Sequence, residues 1–226
     1  MVSAVIVAAG KGTRMGPNVD KLFLEVAGKP IVAHTWSRFD ASPTIDEIVL
    51  VVREGMQPDF EKIARENRFT KPYRMVAGGK ERQDSVWNGV RAVSESAEIV
   101  AIHDAARPCV TEEIIRNCVI AARETGAAVA ASRVTDTVKE VNAAGVIARN
   151  IDRSTLRAVQ TPQTFQRGVI LRALAKVREL GHQVTDDTAA CELIGQSVRL
   201  VESETPNPKA TSLTDLPYLA LLLAVE

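Results

Sequence analysis

Val2-Ser3-Ala4-Val5-Ile6-Val7-Ala8-Ala9-Gly10-Lys11-Gly12-Thr13-Arg14-Met15-Gly16 opens the chain with an apolar run that stops abruptly in glycines. A short run of this kind, bounded by a glycine loop, reads as a buried strand. It is too short to cross a bilayer and lacks the charged leader of a secretion signal. Similar runs at Ala4–Val7, Ile48–Val52, Ile99–Ile102, Ala127–Ala131 and Val198–Val201 show no strict alternation, as expected of strands covered on both faces. Between them, Ile31–Phe39, Asp59–Glu66, Asp84–Val93, Glu112–Glu124, Val169–Leu180 and Thr188–Ile194 place apolar residues three or four apart, the helical period. Alternation of strand and helix predicts an α/β fold, a mainly parallel twisted sheet with helices on both faces.

The length of 226 residues and 46% hydrophobic content suit one domain with a full core. Lys plus Arg and Asp plus Glu both total 28, so no global field favours nucleic acid or an acidic membrane as partner. Any anion site must be local. Cys109, Cys118 and Cys191 show neither a C-x-x-C pair nor zinc-ligand spacing. They read as buried small hydrophobes in a reducing compartment, and the expected location is cytoplasmic.

One segment breaks the rhythm. Val134, Asp136, Val138 and Glu140 nearly alternate, Asn142-Ala143-Ala144-Gly145 offers a turn, and Val146-Ile147 resumes the strand pattern. This predicts a protruding β-hairpin arm at about residues 134–152. A two-stranded ribbon is marginal alone, so a second subunit is its natural partner and a homodimer is expected.

Ligands of open α/β sheets sit at the carboxyl ends of strands, where glycines let backbone amides approach phosphates. The Ala8–Lys21 loop has Met15 where a dinucleotide fingerprint needs its third glycine, and it does not close in the Gly-Lys-Ser/Thr of a P-loop. It does gather Lys11, Arg14 and Lys21, which suits a triphosphate. Taken by themselves, these cations fit a solvated basic turn equally well.

Ala8-Ala9-Gly10-x-Gly12-x-Arg14-Met15, then Lys21-x-x-Leu24 and Gly28-Lys29-Pro30-Ile31, resembles the signature of nucleotidyltransferases that activate sugar or polyol phosphates. Their lysine is kept here in Asp20-Lys21-Leu22, with a negative neighbour expected to lower its field. Gly78-Gly79-Lys80-Glu81-Arg82-Gln83-Asp84-Ser85-Val86 and His103-Asp104-Ala105-Ala106-Arg107-Pro108 are similar to motifs of the 2-C-methyl-D-erythritol 4-phosphate cytidylyltransferases. Asp136-Thr137, Asp152-Arg153, Gln160-Thr161-Pro162-Gln163, Thr185-Asp186-Asp187 and Asn207-x-Lys209-x-Thr211 continue the match in order over nearly the whole chain.

The resemblance implies a Rossmann-like single nucleotidyltransferase domain over residues 1–226 whose arm mediates dimerisation. It implies nucleotide binding by Ala8, Ala9, Gly10, Gly12, Arg14, Lys21, Gly79, Lys80 and Ser85. Asp104, Arg107, Thr137, Arg153, Thr161 and Lys209 inherit the acceptor polyol phosphate, with Thr137 and Arg153 reaching across to the neighbouring subunit. Arg14, Lys21, Arg153 and Lys209 form the catalytic set. From the residues alone, the Gly78-Gly79 turn also reads as an ordinary helix entry capped by Asp84 or Ser85. His103 and Asp104 point to opposite faces of a strand, which excludes joint ligation of one ion and leaves His103 structural.

The implied reaction joins CTP to a polyol phosphate. The acceptor is a phosphate monoester with a second pKa of roughly 6, largely a dianion at neutral pH and already nucleophilic. No general base is required, and the work falls on cations facing charge on the α-phosphate and departing pyrophosphate. Magnesium is expected to arrive with the triphosphate, held mostly by substrate and water rather than by a protein metal site. Three rivals remain on sequence. A ribitol 5-phosphate cytidylyltransferase is disfavoured by Ala105-Ala106 and Asp152-Arg153, a nicotinamide-dependent oxidoreductase by the missing glycine, and a nucleotide-sensing module by Arg153 and Lys209.

Overall fold

The computed structural model describes residues 1–10 and 20–224. In chain order the elements are β1 (Val2–Val7), β2 (Glu25–Val26), β3 (Lys29–Pro30), α1 (Ile31–Ala41), β4 (Glu47–Val52), α2 (Gln57–Asn67), β5 (Tyr73–Ala77), α3 (Arg82–Ala92) and β6 (Ile99–Asp104). There follow α4 (Glu112–Thr125), β7 (Ala127–Arg133), β8 (Lys139–Val141), β9 (Ile147–Asn150), β10 (Arg157–Gln166), α5 (Arg167–Leu180), α6 (Asp187–Glu192), β11 (Arg199–Glu202) and α7 (Leu216–Ala224). The main sheet has seven strands in the order β11-β7-β10-β6-β1-β4-β5. All pairings are parallel except those of β10, which runs against both β6 and β7. The expected α/β class, a mainly parallel sheet with helices on both faces, is what forms.

The double coverage follows from side-chain alternation on a strand. Ala4 and Ile6 of β1 join Ile48 and Leu50 of β4 in one core, roofed by α1, α2, α4 and α7 through residues such as Trp36, Phe60, Ile115 and Leu219. Val5, Val49 and Val51 face a second core under α3, α5 and α6, where Val86, Val90, Ile170 and Cys191 pack. The helix ends are set by local chemistry. Thr111 caps α4 by accepting from the Ile114 amide at 3.3 Å, and Gly126, at φ +89°, closes it with its amide on the Ala122 carbonyl.

Three local expectations are corrected. Helix α3 starts at Arg82, not Asp84, because Glu81 is its N-cap and forms a reciprocal capping box with Asp84. Asp84 is thus the third residue of the helix, and Ser85 lies within its first turn. Strand β10 has no counterpart in the sequence pattern, since Pro162 argues against a strand interior; the register shift between Val159 and Gln163 accommodates it. Helix α7 also escapes the pattern, being apolar nearly all round.

Chain order explains where a site forms. From β1 the chain steps through β4 to β5 on one side, then returns with β6 on the other side of β1. The carboxyl ends of β1 and β6 therefore diverge at a switch point, which leaves a crevice. The β8–β9 hairpin lies outside this sheet, its strands pairing only with each other and every residue from 139 to 150 exposed. Asn142 builds its turn by accepting from the Ala144 and Val146 amides, both at 3.0 Å. The paired strands are shorter than the Val134–Val141 alternation predicts.

Gly89 of α3 lies over β1 and β4, where an added Cβ would come within 2.5 Å of Val5 and 2.7 Å of Val51. Alanine in mid-helix gains about 1 kcal/mol in propensity, but overpacking a rigid valine core costs about 1–3 kcal/mol. Gly89→Ala is expected to lower stability by about 1–2 kcal/mol, read from the urea midpoint. A variant more stable than the parent would show that the valines yield.

Candidate active site

The switch-point crevice is a cleft of about 820 Å³. Val7, Ala9 and Gly10 enter it from the end of β1, Arg53 from the end of β4, Gly78 and Gly79 after β5, and Asp104 from the end of β6. Glycine is required at Gly78 because a Cβ there would lie 2.3 Å from the Ala9 methyl carbon, and at Gly79 because it would meet the Asp84 Cβ at 2.3 Å. Ser85 closes this turn from beneath. Its buried hydroxyl accepts from the Gly79 amide at 3.0 Å and donates to the Glu81 carbonyl at 3.2 Å. Lys80 is exposed on the rim. Ser85 therefore shapes the Gly78-Gly79 turn and, with Gly79 and Lys80, lines the cleft.

Lys21 sits in a short 3-10 turn, Lys21–Phe23, capped by Asp20 through the Leu22 amide at 3.1 Å. Its buried ammonium donates to the Ala210 carbonyl at 2.9 Å, tying the N-terminal loop to the C-terminal segment. Asp20 forms an ion pair with Arg53, whose guanidinium also reaches the Gly10 carbonyl at 3.5 Å. The negative neighbour of Lys21 is thus compensated by a cation from β4. Gly12 and Arg14, together with Lys11, lie outside the described residues.

Asp104 is the centre of charge. Its Oδ1 accepts from Arg82 Nε at 3.2 Å and its Oδ2 from Lys209 Nζ at 2.5 Å. Burial opposes the ionisation of Asp104, but Arg82 and Lys209 outweigh it and hold the carboxyl well below the usual carboxylate range. Arg82 also grips buried Asp187 with both guanidinium nitrogens, at 3.1 and 3.0 Å. Burial again disfavours the charge, and Asp187 with Asp104 overrides it, so Arg82 stays a cation.

Arg107 follows in the turn after β6, its guanidinium donating to the Asn207 carbonyl at 2.7 Å. Thr161 is buried in β10 and lies at the back of Asp104, whose amide donates to the threonine hydroxyl at 3.1 Å. Thr137 and Arg153 stand exposed at the root of the arm, where Arg153 donates to the Thr135 carbonyl. Neither lines the cleft of its own chain. The structure thus gathers Ala9, Gly10, Lys21, Gly79, Lys80, Ser85, Asp104 and Lys209 around one cavity, sets Ala8, Arg107 and Thr161 behind its lining, and leaves Thr137 and Arg153 apart.

Sequence reasoning assigned no role to Arg53, Arg82, Asp187 or Asn207. Arg53 directly follows a strand, the only local signal it carries. Arg82 and Asp187 stand inside quoted motifs, but their pairing spans 105 residues and is invisible to spacing. Among the described residues, no group of three or more His, Cys, Asp or Glu side chains is placed to hold a metal ion. Among them, too, no helix is long and apolar enough to cross a membrane.

The model of the 2-C-methyl-D-erythritol 4-phosphate cytidylyltransferase family matches residues 2–224. The chain belongs to this family. Proteins of that name from Clostridium botulinum strain Langeland and Caldanaerobacter subterraneus are 44% and 42% identical to it, over 95% and 98% of this chain and 93% and 98% of their own. The crystal structure of 4-diphosphocytidyl-2C-methyl-D-erythritol synthase from Anaerococcus prevotii superposes with a TM-score of 0.88 at 29% identity, covering 99% of this chain and 96% of that one. The family enzyme from Thermus thermophilus gives 0.78 at 28% identity, with 97% and 98% covered. A cytidylyltransferase fold therefore replaces the oxidoreductase alternative, and the Ala105-Ala106 motif sits in the turn that carries Asp104 into the cytidylyltransferase cleft.

His103, as expected, is structural. It is wholly buried, and burial pushes its pKa from 6.5 down to about 4. Because the folded value is lower, the unfolded chain binds the proton first as pH falls. Stability is therefore complete above about pH 6.5 and is lost progressively toward pH 4, by about 3 kcal/mol from this group. Between those limits the parent should lose urea stability more steeply than His103→Gln. Equal slopes would place the acid sensitivity elsewhere.

Proposed function

We propose that the chain transfers CMP from CTP to 2-C-methyl-D-erythritol 4-phosphate, giving 4-diphosphocytidyl-2-C-methyl-D-erythritol and pyrophosphate in isoprenoid biosynthesis by the non-mevalonate route. The observation that carries this reading is the cleft itself. On one side glycine backbone is open to a base and phosphates, and on the other Lys209 and Arg82 converge on one carboxylate, Asp104. That division suits a nucleotide half and a polyol phosphate half.

In the reaction an oxygen of the acceptor phosphate attacks the α-phosphorus of CTP in line. The new P–O bond forms as the bond to the β-phosphate oxygen breaks and pyrophosphate leaves. Asp104 accepts hydrogen bonds from acceptor hydroxyls, Arg107 belongs to the acceptor pocket, and Lys209 holds the phosphate together with Arg153 of the neighbouring subunit. Arg14 and Lys21 meet the charge developing on the α-phosphate. The fixed position of Lys21, buried and tethered to Ala210, means that its field needs little reorganisation.

Magnesium would be held here mostly by the triphosphate and water, since Asp104, at the end of β6, has both oxygens engaged by cations. When bound it neutralises triphosphate charge. The unpaired, buried cysteines agree with a cytoplasmic setting, their thiols pushed up by burial to about 11 at Cys109 and about 12 at Cys118 and Cys191.

The assay is pyrophosphate release from CTP with methylerythritol phosphate or ribitol phosphate as acceptor. Release is expected with the first, and none from that pair would reject the proposal. Lys21→Ala and Arg14→Ala should each lower kcat about 10²-fold or more, with a smaller change in acceptor affinity. Unchanged turnover in either would remove its role.

Thr137 and Arg153, at the root of the arm, serve the neighbouring subunit's cleft in this reading, which the exposed Val141, Val146 and Ile147 support as apolar surface suited to burial in a dimer. Arg153→Ala and Lys209→Ala chains are each expected to be nearly inactive alone. Mixed after co-expression, they should recover roughly a quarter of the parent activity, because half of randomly paired two-fold dimers carry one intact site. No recovery in verified heterodimers would place Arg153 in its own chain's site.

A further inference from the structure

The turn from Asp104 to Arg107 has each of its four carbonyls committed. The Arg107 amide donates to the Asp104 carbonyl at 3.0 Å, Thr35 donates to that of Ala105 at 2.8 Å, the Ala210 amide to that of Ala106 at 2.8 Å, and His103 Nε2 contacts that of Arg107 at 3.1 Å. A carbonyl only accepts, so Nε2 carries the proton. The ring is wholly buried against Phe39, centroids 4.9 Å apart, which favours the neutral form. Nδ1 is then an acceptor, and the Thr161 hydroxyl at 3.0 Å donates to it.

The same hydroxyl accepts from the Asp104 amide at 3.1 Å. This bond replaces one that the sheet does not make. The β6–β10 ladder runs to Ile102 opposite Gln163, and the next residues of β10 are Pro162, which has no amide proton, and Thr161 at the register shift. A side chain thus takes over the main chain's task at the strand end. The hydrogen bonds form one directed chain: Asp104 N–H to Thr161 Oγ, Thr161 O–H to His103 Nδ1, and His103 Nε2–H to the Arg107 carbonyl.

We infer that His103, which reaches no part of the cleft, is the positioning residue of the acceptor pocket, fixing Asp104 through Thr161 and Arg107 through its carbonyl. The inference rests on the proposed function, which gives Asp104 and Arg107 to the acceptor. Both ends of one imidazole hold the two residues that frame the acceptor, so their separation depends on a ring that cannot be shortened. The nucleotide half of the cleft, built on Gly10, Gly79 and Ser85, has no bond in this chain.

Glutamine at 103 can still donate to the Arg107 carbonyl but loses the acceptor for Thr161; asparagine does the reverse. In steady-state pyrophosphate release, His103→Gln and His103→Asn should raise the acceptor KM about three- to tenfold, with the CTP KM changed less than about twofold. Thr161→Val should behave alike, and His103→Gln in a Thr161→Val background should add little. An acceptor KM that does not move, equal movement of both KM values, or full additivity would overturn the inference. If the His103 variants do not fold, Thr161→Val and the nitrogen NMR spectrum of the parent decide it. His103 should show protonated Nε2 and bare Nδ1, unchanged from about pH 6 to pH 8. The opposite tautomer, or titration in that window, would overturn it. Failure of the parent to release pyrophosphate would instead reject the functional reading itself.

Discussion

The carboxylate of Asp104 joins three parts of the chain at one point of the cleft. It stands at the end of β6, takes Arg82 from the start of α3 and takes Lys209 from the C-terminal segment. Because Arg82 also binds Asp187, two cations balance two carboxylates, and the cluster holds Asp104 ionised and fixed in place. The cost of burying Asp104 is met by those same cations. Removing Arg82 would strip Asp187 of its ion-pair partner, and removing Asp104 would strip Lys209 of its own, in a partly dry site.

Around this centre the supports lie a layer deeper. Asp187 orients Arg82 by a two-pronged contact, Gln163 accepts from the Asp187 amide at 2.9 Å, and Asn207 holds both Arg107 and the Thr161 carbonyl. The side of the cleft that the proposed function gives to the acceptor is thus built from β6, β10 and the 207–211 segment, all braced by buried polar contacts. The nucleotide side is built differently, from glycine turns that expose backbone. Such a division lets one half be rigid and polar while the other offers close approach to a flat base and a flexible triphosphate.

Much of this was legible in the residue order. The apolar runs locate β1, β4, β6 and β7 to within a few residues, because strands buried on both faces must be apolar throughout, and the run at Val198–Val201 locates β11 although that edge strand is mostly exposed. The glycine turns and the His103–Pro108 motif point to the cleft because glycine and charge at strand ends have few structural uses. Strand β10 was not legible, since its proline is tolerated only through a register shift that pairing with two neighbours creates. Arg53 and Asn207 were not legible either, as arginine and asparagine in loops are ordinarily solvated. Their partners lie far away in sequence, 100 residues in the contact of Arg107 with Asn207.

By itself, then, the sequence determined the α/β class, the strand ends at which a ligand would gather and the family to which those motifs belong. These follow from local periodicity and from residue types that only a phosphate-handling cleft uses in that order. The tertiary structure alone decided which charges meet. It turned Asp20 toward Arg53, set Arg82 and Lys209 on either side of Asp104, and made Thr161 and His103 a brace behind the acceptor residues. Hydrogen bonds and ion pairs act over about 3 Å, and only the folded chain brings residues a hundred positions apart within that reach.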